Sequence, residues 1–448
     1  MSSEWPLKKI SEIADFLNSK RIPLKSLERQ KCQGPYPYYG ASGIVDSIDR
    51  YIFDGTYLLI SEDGENLRTR KTPIAFKAHG KFWVNNHAHI LSEKEEGALD
   101  YLEYYFSALD LDPYITGAVQ PKLNKANLDS IEIPFPDKKT RLFINSTLNS
   151  LTQKVAINNK LNQTLEQMAQ ALFKSWFINF EPVRAKIAVL EAGGSQEDAT
   201  LAAMTAISGK DADSLVVFEQ EHPERYSELK ATAEIFPSAM RDIESVKIPE
   251  GWRLVPLSEI SSFASGKSNV AELTKETYIS TENMLGNKMG IECATSLPSA
   301  NTTPSFKSGQ ILISNIRPYF KKIWLARFSG GRSADVLAFE HKKNITAEYL
   351  YNVLYQDSFF DFMMQTSKGV KMPRGDKKAI MEWSCIEPDI RLVKLFSNKV
   401  KEFYSYIESH NRENTQLSQL RDTLLPKLLS GEITLPGAEE LAKEADYV

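Results

Sequence analysis

Ser265-Gly266-Lys267-Ser268 ends like a phosphate-binding loop, but Ser261 stands where the leading glycine belongs, so the cradle is incomplete. His87 and His89 are spaced to share one face of a strand. Two imidazoles without a third ligand nearby are more often packing or hydrogen-bonding groups than a metal site. Asp63 and Glu65 in EDGEN resemble half of a nuclease carboxylate pair, and a turn built on Asp-Gly accounts for them equally well. No GxGxxG opens a helix, and no Asn/Asp-Pro-Pro-aromatic tetrad occurs. These residues form no catalytic or metal constellation, and the chain is expected to be non-catalytic, with no cofactor of its own.

The remaining polar groups suit base edges and phosphates. In the first half they are Arg68, Arg70, Asn85, Asn86, His87, Thr116, Gly117, Gln120 and Lys122. In the second they are Thr281, Asn283, Arg317, Lys321, Lys322, Arg332, Lys368, Gly369, Lys371 and Arg374. Arginine and lysine reach guanine O6/N7, asparagine and glutamine reach adenine N6/N7, and amides beside glycine can hold phosphate. Each is weak alone, because surface cations are commonplace. The strongest signal is a glycine–proline loop present twice, with a cation directly after each proline: Lys122 after Pro121 and Arg374 after Pro373. A turn that merely closes the domain would explain the loop about as well.

The elements that must position these groups are themselves duplicated. Gly117 falls on Gly369 and Pro121 on Pro373 at an offset of 252 residues. The same offset carries Pro136, Asn159, Asn162, Leu165 and Leu172 onto Pro388, Asn411, Asn414, Leu417 and Leu424 without a gap. The beginnings of the halves match at an offset of 247, Ser11-Glu12-Ile13 on Ser258-Glu259-Ile260. Each half opens with an α/β region containing strand-like runs such as Tyr57–Ser61 and Gln310–Ser314, and closes it with a proline segment, IEIPFP or CIEP.

A heptad seam follows in each half. Leu151, Val155, Asn162, Leu165 and Leu172 lie on alternating three- and four-residue steps, as do Phe403, Ile407, Asn414, Leu417 and Leu424. Polar residues interrupt both seams at the same places, which favours pairing of the two helices with each other, register being set by Asn162 and Asn414. A two-fold relation between the halves then requires antiparallel helices with the α/β regions at opposite ends. About 40 residues of helix make a spacer of roughly 60 Å. Pro426 should kink or end the second helix. An outer apolar face is expected from Leu161, Met168, Phe173 and Phe177 in the first helix and Leu420, Leu425 and Leu429 in the second.

The fold class is therefore α/β, with two similar domains separated by two long antiparallel coiled-coil helices in an internal pseudo-two-fold duplication. The expected pieces are an α/β domain at 1–136, a helix at 137–181, an acidic connector at 182–247, a second α/β domain at 248–388, a second helix at 389–433 and a tail at 434–448. The connector holds 12 acidic and 7 basic residues, so it reads as a solvated, partly helical excursion. A chain of 448 residues, 42% hydrophobic and 25% charged, is long enough for about three folded units. Three distant cysteines exclude a disulfide framework. No apolar run reaches the roughly 18 residues of a membrane span, and the N-terminus lacks a signal-peptide core, so a cytoplasmic location is expected. The net charge of −4 contains no basic arm, so any DNA contact must come from local clusters.

Several segments resemble the specificity subunit of type I restriction–modification systems. They are YLLISEDGEN at 57–66, WVNNHAHIL at 83–91, TGAVQPKLN at 116–124, IEIPFP at 131–136, LEQMAQALFKSWFINFEPVRAK at 165–186, PEGWRLVPLSEI at 249–260 and ENTQLSQLRDTLLPKLLSGEI at 413–433. The likeness covers nearly the whole chain except 187–247 and the tail. The second copy lacks the Asp-Gly turn and the His-Ala-His segment, so those residues are not carried over to it. The resemblance implies a non-catalytic reader of double-stranded DNA, with two target recognition domains for the halves of a bipartite sequence. It further implies two methyltransferase subunits carrying S-adenosylmethionine, two restriction subunits using ATP and magnesium, and no membrane partner. A duplicated coiled-coil scaffold that binds proteins instead of DNA is the alternative.

Overall fold

A computed structural model describes residues 5–117, 120–243 and 246–433. The expected tail 434–448 lies outside the described residues, as do two residues of the first glycine–proline loop. The chain forms two compact units, residues 1–158 with 411–448 and residues 159–410. The cuts fall inside both long helices at positions 252 residues apart, so each unit owns one α/β head and a stretch of each helix.

The helices are Lys138–Phe177 and Ile390–Leu429, and both ends of one map onto the ends of the other at the same offset of 252. Each begins where a proline halts the preceding strand and an aspartate follows. Asp137 accepts bonds from Thr140 N at 3.1 Å and Thr140 Oγ1 at 2.8 Å, and Asp389 accepts from Arg391 N at 2.8 Å. Those amides would otherwise be orphaned at a helix start. Pro426 does not end the second helix, which continues to Leu429. Its missing N–H falls in the last turn, and its own carbonyl still accepts from Ser430 N at 3.0 Å.

In the first unit, Asn158 Nδ2 donates to Asn414 Oδ1 at 2.9 Å and to Glu413 Oε2 at 2.7 Å. In the second, His410 Nδ1 lies 2.8 Å from Asn162 Oδ1. Asn158 is equivalent to His410 and Asn162 to Asn414, so one polar contact is built once in each unit. Within the second unit Asn162 meets His410 while Phe177 packs 5.4 Å from Phe396, which makes the helices antiparallel. In the first unit Leu148 and Leu428 share a core while Asn158 meets Asn414, again antiparallel. Leu151, Val155, Leu165, Leu172, Phe403, Ile407, Leu417 and Leu424 are all half-buried, as a seam requires.

The first head is a six-stranded sheet in the order Ala14–Phe16, Ala88–Glu93, Phe53–Ser61, Ala75–Val84, Gln33–Gly40 and Gly43–Ile48. The second head has two four-stranded sheets. One orders Ser261–Phe263, Val336–His341, Ile311–Ser314 and Ile323–Leu325; the other orders Lys267–Asn269, Thr302–Phe306, Gly330–Arg332 and Tyr278–Ile279. Equivalent ribbons close both heads, Leu7 opposite Pro134 and Leu254 opposite Ile386.

Two expectations need correction. Phe173 and Phe177 do not face outward; both are 1% exposed in an aromatic core with Tyr349 and Phe396. Leu425 and Leu429 pack on the core of the first unit, whereas Leu161, Met168 and Leu420 are exposed. Residues 182–247 are no solvated excursion either. Helices Glu181–Glu191, Gln196–Ser208, Ala212–Glu221 and Pro223–Ile235 pack into the second unit's core through Val183, Ala203, Met204, Leu215 and Ala233. The many alanines let helices approach closely. Lys186 is buried among them and donates to Phe236 O at 2.7 Å.

Candidate nucleic-acid interface

The duplicated loop is closed identically in both heads. Thr116 and Lys122 exchange backbone bonds of 2.8 and 2.7 Å, and Lys368 and Arg374 exchange bonds of 2.9 Å each. Gly117 and Gly369 sit at φ +90° and +97°, where a side chain is strained. The proline carbonyls are anchored alike: Pro121 O accepts from Gly64 N at 3.0 Å, and Pro373 O from Arg317 N at 2.8 Å. The second head thus keeps the backbone of the Asp-Gly turn that its sequence lacks. Ile316 and Arg317 replace Asp63 and Gly64, and Arg317 takes φ +49°.

In the first head, the loop brings together Arg68, Thr116, Gly117, Gln120 and Lys122, all exposed. Arg68 donates to Gly117 O at 3.3 Å, and Lys122 Nζ lies 3.7 Å from Glu62. His87 is held beside this cluster, its Nδ1 2.8 Å from an Asp63 carboxylate oxygen, and Asn85 Oδ1 accepts from His87 N at 2.8 Å. Asn86 is exposed next to them. Arg70 does not belong to the set. At φ +48° it turns its guanidinium onto the carbonyls of Phe106, Ser107 and Leu109, capping the helix Ala98–Ala108. His87 and His89 do not share a surface: His89 is fully buried, with Nε2 2.8 Å from Leu123 O and Nδ1 2.8 Å from Asn18 Nδ2. With Nε2 donating and Nδ1 accepting, the ring is neutral, and burial lowers its pKa.

In the second head, Arg317, Lys368, Gly369, Lys371 and Arg374 are exposed around the loop. Lys368 pairs with Asp376 at 2.5 Å and Arg374 with Asp335 at 3.3 Å. Lys321 lies on the same rim, sharing Asp357 with Lys288 at 2.8 Å each; their hydrogen bonds hold the Asp357 carboxyl down at about 2. Three expected contacts are structural instead. Asn283 is 3% exposed and ties Tyr278 O, Glu292 O and Ser280 N together. Arg332 is 8% exposed and spends its guanidinium on the carbonyls of Ser305, Val336 and Ala264. Lys322 is half-buried on Thr281 O at 2.6 Å, which leaves Thr281 a backbone role there. Burial lowers the pKa of both Arg332 and Lys322. Gly266 leads into a strand, Lys267–Asn269, followed by a single 3-10 turn, Val270–Glu272, and not by the α-helix that a phosphate cradle opens.

Sequence reasoning passed over Tyr319 and Phe320, 48% and 42% exposed on this rim with ring centroids 4.6 Å apart. Their signal is faint: an Arg-Pro-aromatic-aromatic run at the offset where the first copy has Gly-Glu-Asn-Leu. Among the described residues, no group of three His, Cys, Asp or Glu is placed to hold a metal, and no helix is long and apolar enough to cross a membrane.

Residues 2–167 match the family model for the type I restriction modification DNA specificity domain. The chain is 29% identical over 337 residues to the type I restriction enzyme HindI specificity subunit of Haemophilus influenzae, covering 70% of this chain and 71% of that one. It is 21% identical over 410 residues to the EcoDI specificity subunit of Escherichia coli, covering 90% and 83%. The crystal structure of a type I restriction–modification S subunit from M. genitalium shares the fold, with a TM-score of 0.53 at 15% identity over 95% of this chain and 96% of that one. With its duplicated heads and paired helices, this chain is similar to type I restriction–modification specificity subunits, and residues 2–167 match their DNA specificity domain.

Proposed function

We propose that the chain is a type I restriction–modification specificity subunit that reads a bipartite double-stranded DNA target, one half-site per head, and itself supplies no catalytic group. The observation that carries the reading is the glycine–proline loop, braced by the same backbone bonds in both heads and presenting a cation, Lys122 or Arg374, at the same position of each. The helices bear exposed apolar groups in each unit, Ile157 and Leu420 in the first and Leu161 and Met168 in the second, suited to helices of a partner. On this reading two methyltransferase subunits, carrying S-adenosylmethionine, dock there. Two restriction subunits using ATP and magnesium complete a cytoplasmic assembly.

The test is a titration of duplex DNA with the chain co-purified with its methyltransferase, at 50 and 200 mM salt. Each neutralised phosphate steepens the log–log salt slope by about 0.9, so several contacts predict a loss of about 100-fold or more over that range. An intact complex whose DNA affinity is absent or insensitive to salt would instead favour a protein-binding scaffold.

A further inference from the structure

Six non-glycine residues among those described have left-handed backbone, and four of them meet at one rim of the second head: Asn287, Lys288, Arg317 and Lys321, at φ +54°, +64°, +49° and +50°. Such residues persist only where their surroundings over-determine them, and they concentrate at functional sites. Here they frame the short turn Pro318–Phe320, with Arg317 and Lys321 at its ends. Backbone bonds stitch three segments together: Arg317 N to Pro373 O at 2.8 Å, Asn287 N to Phe320 O at 2.7 Å and Lys288 N to Lys321 O at 2.9 Å. Pro318 is buried beneath the turn.

This rigid frame holds apolar groups outward. Tyr319 and Phe320 are joined on the stitched segments by Met289 at 57%, Met372 at 47% and Val370 at 101% exposure, interleaved with the exposed cations Arg317, Lys371 and Arg374. The first head makes the same anchoring bond, from Gly64 N, but its counterparts are withdrawn. Leu67 is 1% exposed, and Asn66 folds back on Thr72 in two bonds of 3.0 and 2.9 Å. The same anchoring bond therefore leads into an outward aromatic pair in the second head and into withdrawn counterparts in the first. Aromatic and aliphatic groups surrounded by cations suit nucleic acid, where phosphates meet the charges and an unstacked base step receives the rings.

We propose that Tyr319 and Phe320 form a wedge that enters a base step of the half-site read by the second head; this rests on the DNA-reading function proposed above. The step must then be easily deformed, so that half-site should contain a pyrimidine–purine step at the wedge position, selected by flexibility instead of by direct contact.

The test uses the methyltransferase complex and duplexes of its mapped target, with 2-aminopurine placed in turn at each position of the second half-site other than the methylated base. Binding should raise fluorescence at one step. Tyr319→Ala with Phe320→Ala should abolish that rise and weaken target binding about 5- to 100-fold, a typical range for losing base–aromatic stacking. The order of preference among first-half-site sequence variants should stay as in the parent even as binding of all of them weakens, and Tyr319→Phe should restore the fluorescence rise. Target bound with no signal at any step, or a signal that survives the double substitution, overturns the wedge while leaving DNA reading intact. Substitutions that disturb only association with the methyltransferase also overturn it, in favour of a protein contact. A complex that binds no DNA overturns both proposals.

Discussion

The junction between head and helix is ionic in the first unit and apolar in the second. Arg141 on the first helix is 1% exposed, donates to Pro136 O at 3.0 Å and Glu96 O at 3.1 Å, pairs with Glu95 at 3.0 Å and lies over the Phe135 ring. Its equivalent in the second unit is Val393, fully buried in the aromatic core. The bond that fixes the junction is nevertheless shared: Tyr101 donates to Pro134 O at 2.6 Å and Tyr349 to Ile386 O at 2.8 Å. One turn on, a hydroxyl has changed sides. Tyr104 of the first head reaches Asn149 on the helix, whereas in the second unit Tyr404 of the helix meets Asn352 of the head. Backbone registry and a tyrosine–carbonyl bond define the duplicated plan, and the side chains around them have diverged.

The largest expected difference between the junctions comes from Arg141→Ala. It leaves the carbonyls of Pro136 and Glu96 without this donor, while half-exposed Glu95 keeps Lys8, and should cost about 2–4 kcal/mol. Val393→Ala removes two methyl groups for about 1–3 kcal/mol. Hydrogen exchange should quicken within 138–158 in the first variant and within 390–410 in the second. Equal effects, or effects crossing between those segments, would break the comparison.

A second contrast concerns Glu166, which has Ser418 at the equivalent position. Burial raises the Glu166 carboxyl to about 7 against hydrogen bonds from Gln170 and Tyr351 and the opposing charges of Arg327 and Lys288, and its Oε1 is without a partner among the described residues. A carboxyl raised in the folded state favours folding below its unfolded pKa of about 4.5, and that contribution is lost as pH rises through 7. Glu166→Gln should therefore remove a penalty of about 2–3 kcal/mol at pH 8.5 and do little at pH 5. Exchange within 159–177 at the two pH values checks this; a pH-independent gain or loss would contradict it.

The loops should differ by less. A Cβ on Gly117 would meet Gln120 O at 2.2 Å, whereas one on Gly369 would lie 3.1 Å from Met372 O. Gly117→Ala is expected to cost about 1–2 kcal/mol more than Gly369→Ala. DNA titration of each variant measures the difference through its own half-site, and reversed order would show that the two loops are not equivalent.

Much of this plan was legible in the sequence because duplication fixes positions without requiring any knowledge of contacts. The offset of 252 residues aligned the two helices with each other residue for residue, although the expected bounds 137–181 and 389–433 overran their C-terminal ends by four residues, and the offset of 247 aligned Ile10–Ile13 with Leu257–Ile260. What was hidden depended on three-dimensional neighbours. Arg70, Asn283 and Arg332 look like DNA-facing polar groups until their carbonyl partners, distant in sequence, are known. The periodicity of Phe173 and Phe177 cannot distinguish a partner-binding stripe from a face covered by the chain's own head. The turn at Ile316-Arg317 has no glycine to announce it, because hydrogen bonding to Pro373 holds arginine in a conformation that the first copy assigns to Gly64.

The central claim is that each head reads its own half of one target, and methylation mapping of Lys122→Ala and Arg374→Ala complexes on a library randomised in both halves tests it most directly. Arg374, with a planar fork matched to guanine, is expected to read a base, so its loss should relax one position of one half-site by about 1–3 kcal/mol. Lys122 is expected to clamp phosphate, so its loss should weaken methylation without relaxing any base and lower the salt slope by about one. If Arg374→Ala alters both half-sites, or neither substitution changes preference or affinity, the loop is only a structural turn and the account of two independent readers fails.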